Sequence, residues 1–156
     1  MNMLRWIDDW NSIIRNVIFQ DEELKSLMMV PEDTDIISFI DNYFIRAGYT
    51  NTLLENEKVR IVYADVPAAD SKTPNVTKNV LSFDIYVNNN VIHNIGADRL
   101  RMRTHLIADR LLTLLTKDRY IQETGYRFFN PKPYDGGSKT IGYARFTLLL
   151  NYMKVY

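Results

Sequence analysis

Cysteine is missing altogether from the 156 residues. That excludes a disulfide scaffold, a thiolate zinc site, an iron–sulfur cluster and a cysteine nucleophile. An excess of either charge is missing too. Lys+Arg and Asp+Glu are both 19, so no general attraction to nucleic acid or to an anionic membrane is expected. Histidine is scarce. His93 and His105 are the two copies, and neither has a second histidine at the four-residue spacing that a helical metal site uses. No apolar run approaches the roughly 20 residues of a membrane helix. Asp8 and Asp9 interrupt the first ten residues, so a signal peptide is not expected there. A Gly-x-Ser-x-Gly nucleophile elbow is also lacking. Repeats, low-complexity tracts and linker-like stretches are absent as well, so a single soluble domain over residues 1–156 is expected, with a helical part at 1–48 and a β-β-α-β-β core at 58–156.

What is present is hydrophobic patterning, carried by the 46% of residues that are apolar. In residues 3–19, Leu4, Ile7, Trp10, Ile14, Val17 and Ile18 recur at three- and four-residue steps, which predicts an amphipathic helix. A second helix is expected from Asp21 to Met29, its acidic first turn matching the positive end of the helix dipole. A third, capped by Thr34 or Asp35, contains Ile36, Phe39, Ile40 and Tyr43, although Tyr43-Phe44-Ile45 fits a strand as well.

The period then changes to two. Val59, Ile61 and Tyr63 alternate with Lys58 and Arg60, and Leu81, Phe83, Ile85 and Val87 alternate with Ser82, Asp84, Tyr86 and Asn88. Both are half-buried strands. The Pro-containing segment Asp65–Asn79 between them reads as a long loop. Ala97–Thr116 reads as a long helix with Leu100, Thr104, Ile107, Ala108, Leu111, Leu114 and Leu115 inside. Two closing strands follow, Gly125–Asn130 and Gly142–Tyr156, joined by a turn-rich loop over Pro131–Thr140. The fold class expected is α+β: a mainly antiparallel sheet of about four strands packed on a long helix, with a helical N-terminal region.

Candidate chemistry is thin. Gly136-Gly137-Ser138-Lys139-Thr140 looks like the end of a phosphate-binding loop, but Pro133 stands where the first glycine belongs. The segment also joins two strands, not a strand and a helix. Asp84 and Asp109 are carboxylates that nothing in the pattern brings together, and ion pairing with Arg60 or Arg110 is the plainer reading. Neither a catalytic residue, a cofactor site nor a metal site is expected, and the chain is read as not an enzyme. The arginines of Ala97–Thr116, with Arg99, Arg103 and Arg110 among them, form a solvated face, a row of subunit contacts or a nucleic-acid face. Trp6 and Trp10, four residues apart, either cap the core or dock on a partner. The long last strand can offer an open edge to another chain.

The order of elements resembles the tail-terminator (tail-completion, neck) proteins of tailed bacteriophages. The stretches that carry the resemblance are Asp21-Glu22-Glu23-Leu24, Lys58–Asp65, Ser82-Phe83-Asp84-Ile85-Tyr86-Val87, Arg103–Leu115 with Ile107-Ala108-Asp109-Arg110-Leu111-Leu112 at its centre, and Gly142–Leu150. The resemblance implies a virion structural subunit, assembled in the host cytoplasm. It implies a ring homo-oligomer, usually a hexamer, that caps the tail-tube protein and meets the head–tail connector, with DNA only as passing cargo. Another neck or head-completion connector, or a nucleic-acid-binding α+β module, is the alternative. On this reading Trp6, Trp10, Arg99, Arg103 and Arg110, with Lys72, Lys132 and Lys139 from the two loops, are the candidate interface residues.

Overall fold

Alternation in Val80–Asn88 sets the centre of the architecture. A strand places successive side chains on opposite faces, so Leu81, Phe83, Ile85 and Val87 all point to one side and are buried. In the computed structural model, which describes residues 3–48, 58–66, 79–96, 99–134 and 142–155, this stretch is the middle of a five-stranded sheet. The strands are β1 (Phe44–Arg46), β2 (Val59–Val66), β3 (Asn79–Asn88), β6 (Tyr126–Tyr134) and β7 (Tyr143–Lys154), in the order β1-β2-β3-β7-β6. A separate hairpin pairs β4 (His93–Gly96) with β5 (Arg99–Met102). The fold is α+β.

Three corrections concern the sheet. Where about four strands are expected there are five, because β1 joins the sheet parallel to β2, with Phe44 opposite Ile61. The nominally helical first 48 residues therefore contribute a strand. The last strand is interior, not an edge: β7 pairs with β3 over Asn79–Asn88 and with β6 on its other side. β6 is the edge, and it runs on through Pro131, Lys132 and Pro133, where a loop is expected. An irregularity between Phe129 and Lys132, with Asn130 at a φ of 55°, accommodates that run. Proline donates no N–H, so strands tolerate it at edges and bulges. That is the position it holds here.

The helices all cover one face. α1 (Met3–Ile13) continues into a π-helical turn at Ile14–Ile18, closed by Phe19 N–H donating to the Ile14 carbonyl. A π turn adds a residue to the helical repeat. Ile13, Ile14, Val17 and Ile18 are all buried along this stretch. α2 (Glu22–Leu27) is capped by Asp21, whose carboxylate accepts from Leu24 N–H. α3 (Ile36–Asn42) is capped by Asp35, accepting from Ser38 N–H. Such side chains satisfy donors that the first turn leaves orphaned.

α4 is shorter than expected. It spans Arg103–Lys117, and the residues before it form the β4–β5 hairpin. Leu100 stands four residues from Thr104 but also two from Met102, so helical and strand periods overlap there. The hairpin register, with His93 opposite Met102, decides for the strand. The proposed helix start at Ala97 and Asp98 lies outside the described residues. α4 still buries Thr104, Ile107, Ala108, Leu111, Leu114 and Leu115 against the sheet. A short α5 (Arg119–Glu123), capped by Asp118, leads to Gly125. A Cβ at Gly125 would meet the Val155 carbonyl oxygen at 2.8 Å, and its φ of +88° disfavours any side chain.

Candidate interaction site

Trp6 and Trp10 lie on the α1 stripe that faces the sheet, and each is only 4% exposed. Their rings stack 5.6 Å apart, and Trp6 also stacks on Tyr152 at 4.1 Å. Trp10 is ringed by Phe44, Tyr63, Phe83 and Phe128. Both are core residues rather than docking anchors, because the inner sheet face supplies the aromatic surface they cover. The Trp6 indole N–H donates to Asp65 Oδ2 at 3.0 Å, whereas that of Trp10 is buried without an acceptor.

Two carboxylates fasten α1 to the end of the sheet. Asp65 accepts from Trp6 and, at 2.8 Å, from the Tyr152 hydroxyl. Asp9 accepts from the Tyr126 hydroxyl at 2.9 Å and lies 3.3 Å from Lys154 Nζ. Burial, then the Asp65 carboxylate, pushes the Tyr152 hydroxyl far above the ordinary tyrosine range. It therefore stays a donor at any physiological pH.

The arginines do not form one helical row. Arg99 lies on β5, not on α4. Arg103 opens α4 and turns inward, its Nε donating to the Val91 carbonyl and its Nη1 to the Leu27 carbonyl, both at 2.8 Å. Burial lowers its pKa. Arg110 makes two hydrogen bonds to Asp21, at 2.9 and 2.5 Å, and reaches Glu23 at 3.1 Å. Burial alone would raise the Asp21 carboxyl. The Arg110 bonds, the Leu24 N–H and the nearby cations outweigh it and hold that carboxyl below its usual value. Arg103 and Arg110 therefore tie α4 to α2 and to the segment before the hairpin; their charge is spent inside the molecule. Lys132 is exposed on β6, and Lys72 and Lys139 lie outside the described residues.

The residues weighed for catalysis stay apart. Asp84 faces away from the helices, accepting from Thr147 Oγ1 at 2.6 Å and lying 3.4 Å from Arg145. Its ion-pair partner is thus Arg145, not Arg60. Arg60 is buried and donates to the Asn42 carbonyl. Asp109 is on α4, in the other layer. His105 packs edge-on against Phe146 at 4.8 Å, and His93 is exposed. Among the described residues no group of three or more His, Asp or Glu side chains is placed to hold a metal, and no helix is long and apolar enough to cross a membrane. The segment Gly136–Thr140 lies outside the described residues. It connects the antiparallel strands β6 and β7.

What the sequence pattern did not single out are the exposed apolar side chains. They form two sets. On α3, Ile37 is 60% and Ile40 36% exposed. Together with Ile36, Ile14 and Tyr63 they border a groove of about 520 Å³ between α1 and α3, and Ile40 and Tyr63 also border an adjoining groove of about 500 Å³ beside β1. On the outer side of β6 and β7, Phe129 is 42% and Met153 46% exposed. They alternate with the buried Phe128 and Tyr152, and the register sets Phe129 opposite Asn151 and Arg127 opposite Met153. The signal was available in the strand alternation, since Phe129 and Met153 are apolar at positions a two-layer fold leaves outside.

No family model matches the chain, and no curated protein and no solved structure matches it either.

Proposed function

We propose that the chain is a non-catalytic structural subunit of a tailed bacteriophage, a tail terminator that caps the tail tube as a ring and presents a surface to the head connector. One observation carries the reading. Two pairs of exposed apolar side chains lie toward opposite ends of the sheet, Ile37 and Ile40 on α3 beside the edge strand β1, and Phe129 on the other edge strand β6 with Met153 on the adjacent β7. With strands about 4.8 Å apart, five strands separate those edges by roughly 19 Å. A ring needs two different surfaces on each subunit, because its contacts are heterologous. A two-fold dimer needs one. The order of elements that resembles the tail-terminator family supports the same reading.

Deleting the chain from the phage that encodes it tests this by electron microscopy of the lysate. The expected result is full heads, unjoined tails and tubes that run past their normal length. Unjoined tails of normal length favour the neck-connector alternative, and a normal yield of joined particles overturns both. The nucleic-acid reading gains nothing from the geometry, since Arg103 and Arg110 are occupied within the fold.

A further inference from the structure

The chain is neutral as a whole but not along its length. Residues 1–48 hold nine acids and four bases, whereas residues 99–156 hold four acids and eleven bases. The fold sends these unequal parts to opposite edges of the sheet. The first contains α3 and β1, the second β6 and β7. The inequality is sharpest beside the exposed apolar side chains. Residues 26–45, which include α3, hold Glu32, Asp33, Asp35 and Asp41 and no base. Residues 124–134, which include most of β6, hold Arg127 and Lys132 and no acid. Arg15 borders the α1–α3 groove, and Arg46 with Asp41 the adjoining one beside β1, so the linings are mixed and the acids lie on α3 (Asp41) and just before it (Glu32, Asp33 and Asp35).

We infer that these two surfaces are the two halves of one contact between copies of this chain: Phe129 and Met153 of one copy enter the α1–α3 groove of the next, while Lys132 and the exposed Arg127, whose Nη1 also donates to the Gln122 and Tyr126 carbonyls of its own chain, meet Asp41 on α3 and Glu32, Asp33 and Asp35 just before it. This rests on the ring reading and adds which surfaces meet. A groove of about 520 Å³ lined by Ile36, Ile37, Ile40 and Tyr63 has the size and chemistry for two large apolar side chains. Opposite charges around an apolar centre set register and discourage wrong partners. Pairing of like surfaces is disfavoured, because acids outnumber bases around α3 and bases outnumber acids on β6. Continuation of the sheet from edge to edge is disfavoured as the mode of contact: β1 is three residues long, and Pro131 and Pro133 remove two donors from β6.

The test uses the full chain and two double variants at exposed positions, Ile37→Glu with Ile40→Glu and Phe129→Glu with Met153→Glu. Circular dichroism checks that each keeps the fold, and sedimentation velocity reads the assembly. The wild type should self-associate at high concentration, less so as salt rises. Each variant alone should be monomeric. Mixed in equal amounts they should form a one-to-one dimer and nothing larger, since each retains the surface the other lacks. As a second pair, Asp41→Lys should weaken association about tenfold, equivalent to 1.4 kcal/mol, and Lys132→Glu in the same chain should restore it. Variants that still assemble like the wild type overturn the assignment of surfaces and leave the ring reading standing. Failure of the two variants to combine while the wild type assembles overturns the head-to-tail pairing. A wild type that stays monomeric overturns the contact itself, and the deletion experiment then judges the terminator reading separately.

Discussion

On β3 and β7, Phe83, Ile85, Leu148 and Leu150 face α1 and α4, whereas Asp84, Tyr86, Arg145 and Thr147, one residue along, face away from every helix. The two faces share a backbone and an alternation, yet different physics holds them. The inner face is closed by aromatic rings packed on both tryptophans, and burial of apolar area supplies its stability. The outer face is held by the Thr147–Asp84 hydrogen bond, the Asp84–Arg145 ion pair and Arg145 lying 6.0 Å over the Tyr86 ring. Burial first, and then Asp84, raises the pKa of Tyr86 against the opposing effect of Arg145. Those contacts are partly exposed and individually weak. Apolar side chains are thus concentrated on the inner face, and Phe129 and Met153, outside the polar cluster, are exceptions on the outer one.

The largest expected effect falls on the inner face. Trp10→Ala removes a ring in contact with five others and leaves a cavity among Phe44, Tyr63, Phe83 and Phe128. A loss of about 3–5 kcal/mol is expected in urea denaturation. A loss below 1 kcal/mol, within the range of surface substitutions, would break the comparison, since the inner face would then not be what stabilises the fold.

Arg110 sharpens it. The residue sits on the solvent-ward side of α4 by sequence, yet it is bound to Asp21. Arg110→Ala should cost about 1–2 kcal/mol at neutral pH, because it leaves a largely buried carboxylate without its main donor. The sign with pH follows from the direction of the shift. The folded state holds the Asp21 carboxyl below its ordinary value of 3.8, so the pair's contribution is present above that value and is lost as pH falls through the lower folded one. The gap between wild type and variant should therefore close in melts at acid pH. A gap that stays constant from neutral to acid would show that lost packing, not the charge pair, is responsible.

Gly125→Ala probes the seam where α5 returns to the sheet. The left-handed φ of +88° alone disfavours alanine by roughly 1–2 kcal/mol. The 2.8 Å approach to the Val155 oxygen adds to that, because the neighbour is backbone that cannot swing aside. A calorimetric melting temperature unchanged from the wild type would mean that the end of β7 is loose enough to yield.

Much of the fold was legible because period two and period 3.6 are easily told apart in long segments such as Val80–Asn88 and Arg103–Thr116. Legibility failed where segments were short or patterns overlapped. Tyr43-Phe44-Ile45 fitted helix and strand alike because three residues are too few to show a period, and pairing with β2 decides for the strand at Phe44–Arg46. Leu100 satisfied two periods at once. Pro131 and Pro133 argued for a loop because proline is excluded from central strands, but an edge strand has no such exclusion. The candidate site was less legible. Charge and aromaticity drew attention to Trp6, Trp10, Arg103 and Arg110, all of which find partners inside the fold. Residue type tells what a side chain can do. Whether a neighbour already satisfies it depends on contacts such as Arg103 with Leu27, 76 positions apart.

The smallest expected effect on stability is also the one that bears most on function. Ile37→Ala and Phe129→Ala remove side chains that are 60% and 42% exposed in the isolated chain. Much of each apolar surface remains in water when the chain folds, so the transfer energy lost on truncation is small, and urea midpoints should stay within about 0.5 kcal/mol of the wild type. Tryptophan fluorescence is a suitable probe, since both indoles report the inner face. A cost above about 2 kcal/mol, the scale of a core truncation, at either position would mean that the residue is packed in solution and is not available to a neighbour. If stability is unchanged while self-association falls, the two properties separate: the inner face determines whether the chain folds, and the outer edges determine what the folded chain joins.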